Sequence, residues 1–510
     1  MGPDIEEKIA RIREGARPRL LDLFSGCGGL TLGFVTTGCD SIGGVELDEH
    51  AACSYAWNFH PSEDGLPGEK HARPRNILDN EAAELLRTLE QGSTEIGVDI
   101  IVGGPPCPAF TRVGRAKLRE IHQHPEAFKH DERATLYVQY LEYVKQLQPV
   151  ALVMENVPDI LNWGGLNLGD EICKSLEQMN YQCSYTLLNA ANYGVPQMRE
   201  RFFLVAVHES TGVEFEFPTP TRKVEFPSGY SSSRKVALKN VLANNLLAEH
   251  SWYRKSPSPP LNASDAVTVQ DAIGDLPPLT AHLRKQDRRG ARRLDIQQPY
   301  DSSRPISAYT RLMKNWPGFE ASESFGAHVT RCLTKRDYRL FKAMKPGDDY
   351  PKAYELAMKF FRQKIESTRR AGKWLLEGSA EYAQLQSEYV PPYDPSKFPN
   401  KWRKMDAKEP ARTLMAHLGK DTYSHIHYDS NQRRVISVRE AARLQSFPDG
   451  FRFAGTMNPG FRQIGNSVPP LLGWAIAHQL LSSLGATIVN PFPERGQTLR
   501  SGKSIKAKVA

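Results

Sequence analysis

Val98-Asp99-Ile100-Ile101-Val102-Gly103-Gly104-Pro105-Pro106-Cys107-Pro108-Ala109-Phe110 sets an apolar run against a glycine- and proline-rich loop that carries one cysteine. The run reads as a buried parallel strand, so Cys107 emerges at the carboxyl end of a sheet, the edge where open α/β sheets bind ligands. Two prolines before the cysteine fix φ and force extended backbone, which holds the sulfur in one place. A nucleophile gains from that, because accurate positioning removes roughly 7–11 kcal/mol of a barrier. The competing reading is a proline turn around a buried, inert thiol.

Upstream, Arg19 to Phe24 reads as a first buried strand, followed by Ser25-Gly26-Cys27-Gly28-Gly29-Leu30 and an apolar helix. Glycines between strand and helix admit a ligand close to the backbone and aim the helix N-terminus at it. The spacing is not that of the G-x-G-x-x-G fingerprint, so a smaller nucleoside cofactor fits better than a dinucleotide. A second strand, Ser41 to Val45, ends at Glu46, where doubly wound folds place a carboxylate for ribose hydroxyls. A helix follows from Asp48 to Phe59, and Arg75-Asn76-Ile77-Leu78 is taken as a third strand end. The fold class is α/β with a mostly parallel, doubly wound sheet.

Downstream, residues 115–132 read as a loop beside the cysteine, and Arg133 to Leu147 as a helix with Leu136, Tyr140, Val144 and Leu147 on one face. Val150 to Met154 is another buried strand, with Glu155-Asn156-Val157-Pro158 at its end. Cys107 and Glu155 therefore cap strands that can be neighbours. A carboxyl in a partly dry cleft has a raised pKa and donates a proton near neutrality. In Gln197-Met198-Arg199-Glu200-Arg201, ahead of a last strand, Arg199 and Arg201 stand two apart and share a face if extended.

At Phe217-Pro218-Thr219-Pro220 the composition shifts to a proline-rich, basic region. The organisation expected is 1–216 as the first part of a catalytic domain, 217–454 as a recognition domain with a helical insert, 455–490 returning to the catalytic domain, and 491–510 as a basic disordered tail. Arg284, Lys285, Arg288, Arg289, Arg292 and Arg293 form a cluster read either as a solvated face or as a phosphate-contacting patch. Tyr354, Met358, Phe361 and Ile365 follow helical spacing. Ser437-Val438-Arg439-Glu440 is a capping box, and Gln463 to Pro470 leads into an apolar helix from Leu471 to Leu484.

The 510 residues suffice for two or three domains. No apolar run of membrane-spanning length and no signal peptide is present, so the expected compartment is the cytoplasm, in association with the nucleoid. Seven cysteines without a C-x-x-C pair argue against a disulfide framework and a structural zinc site, and no metal is expected. A net charge of +8 favours a polyanionic partner.

Together these segments resemble the bacterial DNA (cytosine-5)-methyltransferase family. The resemblance rests on Asp22-Leu23-Phe24-Ser25-Gly26-Cys27-Gly28-Gly29, Gly104-Pro105-Pro106-Cys107, Glu155-Asn156-Val157, Gln197-Met198-Arg199-Glu200-Arg201, Arg439 to Pro448 and Gly465-Asn466-Ser467-Val468, in that order. It implies a Rossmann-like domain that binds S-adenosyl-L-methionine, a smaller target-recognition domain, and double-stranded DNA between them. It also implies cofactor contacts from Phe24, Gly26, Cys27, Gly28, Gly29, Leu30, Glu46, Leu47, Ile77, Pro106, Leu136, Asn466, Ser467 and Val468. Cys107 would attack C6 of a flipped cytosine, Glu155 would serve N3, and Arg199 and Arg201 would orient the base and cysteine. Thr111 and Thr413 would contact DNA.

The sequence departs from the family pattern at Pro108, Thr111, Asn76 and Asn192. The expected role is a monomeric modification enzyme in a restriction-modification or phage-defence system, with a cognate nuclease or defence proteins as partners. A tRNA cytosine-5 methyltransferase and a catalytically silent DNA-binding protein are the rival readings.

Overall fold

A computed structural model describes residues 4–79, 81–89, 97–106, 132–162, 167–241, 251–284, 292–321, 323–420 and 423–490. Its central sheet is built from β1 (Arg19–Leu23), β2 (Asp40–Val45), β3 (Ile100–Gly103), β4 (Ala151–Asn156), β5 (Tyr181–Asn189) and β7 (Glu200–His208). The order is β2-β1-β3-β4-β7-β5. β2, β1, β3 and β4 run parallel, and β7 inserts antiparallel between β4 and β5. Leu23 pairs with Gly103 and Gly103 with Met154, so the carboxyl ends of β1, β3 and β4 finish level.

The strands are apolar on both faces because helices cover both. Leu20, Ile100, Val102 and Val153 join one core, while Leu21, Ile101, Leu152 and Met154 join the other. The first core takes in the Gly29–Thr37 helix and the Pro470–Leu484 helix. These two pack backbone to backbone, since a Cβ at Gly33 would stand 2.3 Å from Trp474 N. The last helix thus returns across the rest of the chain to cover the first one after β1. On the other face lie Tyr140, Tyr143 and Val144 of the Glu132–Leu147 helix, and Ile172 and Leu176 of the Leu168–Glu177 helix.

Between Lys335 and Tyr389, helices Lys335–Ala343, Tyr350–Arg370 and Ala380–Tyr389 enclose a separate core around Phe341, Tyr350, Phe361 and Trp402. The expected spacing is present there, although Ala353 and Ala357 are buried with Phe361, while Tyr354, Met358 and Ile365 are only partly covered. The capping box at Ser437 forms in both directions and opens a helix over Val438–Leu444. Two arginines of this helix are structural: Arg443 donates to Asp449, Asp275 and Ala272 O, and Arg439 to Gly326 O, Pro448 O and Phe451 O.

One expected strand is absent. Arg75 to Leu78 forms a turn, in which Arg75 N donates to Glu46 O at 2.7 Å and Asn76 Oδ1 accepts from Leu78 N at 3.2 Å. An Asx turn outcompetes strand pairing when only two adjacent residues are apolar. No described helix is long and apolar enough to cross a membrane.

Candidate active site

The edge above β3 and β4 is closed by side-chain bonds to the loop that leads to the cysteine. Asn156, buried at the end of β4, donates from Nδ2 to Pro105 O at 3.0 Å and accepts from Val157 N at 2.8 Å. The loop entering Cys107 is thereby tied to the strand that carries Glu155. Gly104 allows the close approach, because a Cβ there would lie 3.0 Å from Glu155 Oε2. Cys107 and Thr111 lie outside the described residues; Pro106, next to them, is exposed.

Glu155 is 9 % exposed and its Oε1 sits 3.0 Å from Arg201 Nε. Burial pushes its carboxyl pKa up, and the charges of Arg201 and Arg199 only partly oppose this. The outcome is a carboxyl held by a cation and yet easier to protonate than one in water.

Arg199 and Arg201 bond to different partners, although the charges of both reach Glu155. Arg199 falls at the break between β6 (Gln197–Met198) and β7, so the two-residue spacing of an extended strand does not apply. Its buried guanidinium donates to Leu414 O and Gly465 O, each at 3.0 Å. Gln197 supports the same joint, accepting from Leu414 N at 2.8 Å and donating to Leu444 O at 3.2 Å. β6 itself pairs in parallel with Ala411–Arg412. Residues 197–201 thus join the sheet to two distant segments. Thr413 donates its hydroxyl to Met198 O at 2.7 Å, and Tyr230 donates to the same carbonyl. A phosphate could accept from Thr413 only if that bond opened. Tyr230 was not legible from sequence, since it belongs to no motif.

The glycine segment forms the second half of the site. Phe24 and Gly26 take φ of +62° and +54°, and a Cβ on Gly26 would meet nothing within 4 Å. Gly26 therefore borders open space. Gly28 and Gly29 are glycine for the opposite reason: a Cβ would stand 2.2 Å from the Phe59 ring and 2.1 Å from Ser467 Oγ respectively. Cys27 is fully buried, its thiol pushed up to about 12 by burial, and Sγ lies 4.0 Å from Ser467 Oγ. It is a packing residue of this segment. Ser467 and Val468, from the far end of the chain, wall this segment, whereas Asn466 is exposed.

Glu46 accepts from Gly26 N at 2.9 Å on one oxygen and from Asp48 N at 2.7 Å on the other. Each oxygen keeps a lone pair for a hydroxyl donor. Leu47 is 69 % exposed beside it, Ile77 and Leu30 are buried, and Leu136 packs partly buried in the same cluster as Phe24. Open backbone at Gly26, a carboxylate with spare acceptor capacity and apolar side chains suit a nucleoside with free ribose hydroxyls. The Ser25 hydroxyl is buried without a partner among the described residues. Beneath, Asp22 is buried, accepts from Thr31 Oγ1 at 2.5 Å, and has its pKa pushed up to about 7 by burial.

A level strand edge with a cation-held carboxyl, beside a glycine segment that borders open space at Gly26, fits an enzyme of the doubly wound α/β class. The profile of the C-5 cytosine-specific DNA methylase family matches residues 19–482, and the chain belongs to that family. It is thus a DNA (cytosine-5-)-methyltransferase whose methyl donor is S-adenosyl-L-methionine.

Among its relatives, a chain assigned as type II methyltransferase M.OihORF3336P of Oceanobacillus iheyensis is 37% identical over 469 residues, covering 92% of this chain and 96% of that one. Type II methyltransferase M.AgeI of Thalassovita gelatinovora is 29% identical, covering 91% and 99%. Among solved structures, a protein assigned as a DNA modification methyltransferase encoded within an E. coli prophage superposes with a TM-score of 0.57 at 21% identity, covering 92% of this chain and 99% of that one. That likeness bears on the fold.

Proposed function

We propose that this chain methylates C5 of a cytosine flipped out of a specific duplex DNA sequence, by way of a covalent adduct with Cys107, as the modification enzyme of a type II restriction-modification or phage-defence system. The observation that carries the reading is the Asn156 to Pro105 bond, which ties the approach to Cys107 to the strand holding Glu155.

Extrusion of the base costs a few kcal/mol and brings its ring carbons within reach. The Cys107 thiolate adds to C6, and Glu155 gives its proton to N3 as electron density builds there. Arg201 holds Glu155 in place and orients the base, while Arg199 acts as a positioning residue through the joint it braces. C5, made nucleophilic, would accept the methyl group; loss of the C5 proton to water then expels Cys107 as thiolate, and N3 returns its proton to Glu155. When bound, S-adenosyl-L-methionine supplies an electrophilic methyl on a sulfonium. Phe24, Gly26, Gly28, Gly29, Leu30, Glu46, Leu47 and Ile77 would hold it, with Cys27, Pro106, Leu136, Asn466, Ser467 and Val468 completing the surroundings. Thr111 and Thr413 are proposed to meet DNA, Thr413 at the cost of its bond to Met198 O.

Tritium transfer from labelled S-adenosyl-L-methionine into duplex DNA tests the reading. Wild type should label DNA and form a stable adduct on 5-fluorocytosine duplex, and Cys107→Ala should do neither while still binding cofactor. Turnover by Cys107→Ala, or labelling of tRNA in preference to duplex DNA, would overturn it.

A further inference from the structure

The helical insert carries a cavity that the methylation site does not use. Its volume is about 580 Å³, and it is lined by Lys335, Tyr338, Arg339 and Lys342 of one helix with Phe360 and Arg433 opposite. Every ionisable lining side chain other than Tyr338 is cationic, and among the described residues no carboxylate lines it. Lys335, Arg339 and Lys342 recur at helical spacing along one face, where like charges repel. Lys335 also stands in the first turn of the Lys335–Ala343 helix, the end whose dipole disfavours a cation.

The guanidiniums are under-satisfied as well. Arg339 stacks on the Tyr389 ring at 4.0 Å, and its Nη1 is out of solvent with no partner among the described residues. Arg433 Nε is likewise buried and unpartnered. Arg433 further takes a φ of +47°, the left-handed region that a residue with a side chain enters at a cost of the order of 1–3 kcal/mol. An anion seated in the cavity relieves the mutual repulsion of the cations that line it.

We infer that this cavity is a second nucleic-acid anchor that takes backbone phosphates of the duplex, with Tyr338 and Phe360 walling the sugars. The inference rests on the proposed action on DNA and adds to it a contact surface separate from the Glu155 edge. The anchor bears on affinity and not on base readout, since phosphate contacts fix position and carry no sequence information.

The test is the salt dependence of duplex binding by wild type, by Lys335→Ala/Lys342→Ala, whose side chains are exposed, and by Lys145→Ala/Lys397→Ala, which removes the same charge elsewhere. Two lost phosphate contacts should lower the slope of log affinity against log salt by about 1.8 and weaken binding roughly 60-fold at 0.1 M salt. In turnover the defect should sit in KM for DNA, and the control pair should keep the wild-type slope. A wild-type slope in the cavity variant overturns the inference, and so does an equal change in the control. Inorganic phosphate that binds wild type but not the cavity variant, with the DNA slopes alike, would assign the cavity to a free phosphorylated ligand and also overturn it. Methyl labelling of DNA by the wild type in the same samples keeps the two readings apart: its absence sinks the proposed function, whereas its presence with unchanged slopes sinks only the anchor.

Discussion

Replacing Asn156 with Ala removes the side chain that binds Pro105 O at 3.0 Å and Val157 N at 2.8 Å while leaving β4 in place. Each backbone group then loses a partner in a buried setting, a loss of about 1–3 kcal/mol apiece. The Val157 share falls on stability. The Pro105 share falls on the placement of the loop that enters Cys107; felt wholly in the transition state, it slows methyl transfer roughly 5- to 150-fold. Asn156→Asp separates the two, since its carboxylate still accepts from Val157 N but has no proton for Pro105 O. The assay is single-turnover methyl transfer at saturating DNA and cofactor, with cofactor affinity measured by calorimetry. Both variants should be slow, Asn156→Asp should keep more of the thermal stability, and cofactor affinity should hold near wild type. A rate within twofold of wild type in both would refute the idea that this bond positions the cysteine loop.

Other substitutions probe other contacts. Glu155→Gln keeps the shape but cannot deliver a proton, so kcat should fall by about 10²–10⁴; because burial raises the Glu155 pKa, proton delivery in the wild type persists to higher pH than for an ordinary carboxyl and fades as pH climbs past it, a limb that should vanish in the variant's pH profile. Gly33→Ala places a methyl 2.3 Å from Trp474 N and should cost on the order of 2–3 kcal/mol even after the helix-propensity gain, read as a lowered Tm; an unchanged Tm would mean the two helices are not in backbone contact. Asp22 titrates near 7 when folded and near ~3.9 when unfolded, so the folded chain holds the extra proton between these values and stability drops by about 4 kcal/mol as pH rises from roughly 4 to 7. Asp22→Asn should flatten that pH dependence of unfolding, and an identical slope would count against a buried, proton-binding Asp22.

Much of the sheet was legible because its strands are covered on both faces and so spell continuous apolar runs, as in Ile100 to Val102 and Ala151 to Met154. The carboxylates at Glu46 and Glu155 were legible because each directly follows such a run. What escaped were features set by contacts distant in sequence. The partners of Arg199 are carbonyls at Leu414 and Gly465, more than 200 residues away, and spacing alone cannot register them. Arg439 and Arg443 look like surface charge but are buried because backbone carbonyls and the carboxylates of Asp275 and Asp449 converge on them. The Asn156 bond to Pro105 O depends on the register of β3 against β4, which residue type alone does not fix. The turn at 75–78 mimics the end of a strand in sequence because Ile77 and Leu78 are adjacent and apolar.

The Cys27 and Ser467 side chains that meet beside the glycine segment are 440 positions apart in the chain. At about 5–20 residues per second, a ribosome needs roughly 20–90 s to travel between them. For that interval the newborn sheet displays the bare glycine ridge of its first helix with nothing laid over it. A nascent chain in this state lacks the wall that Ser467 and Val468 give the glycine segment, which closes only once the stretch up to Trp474 has been made.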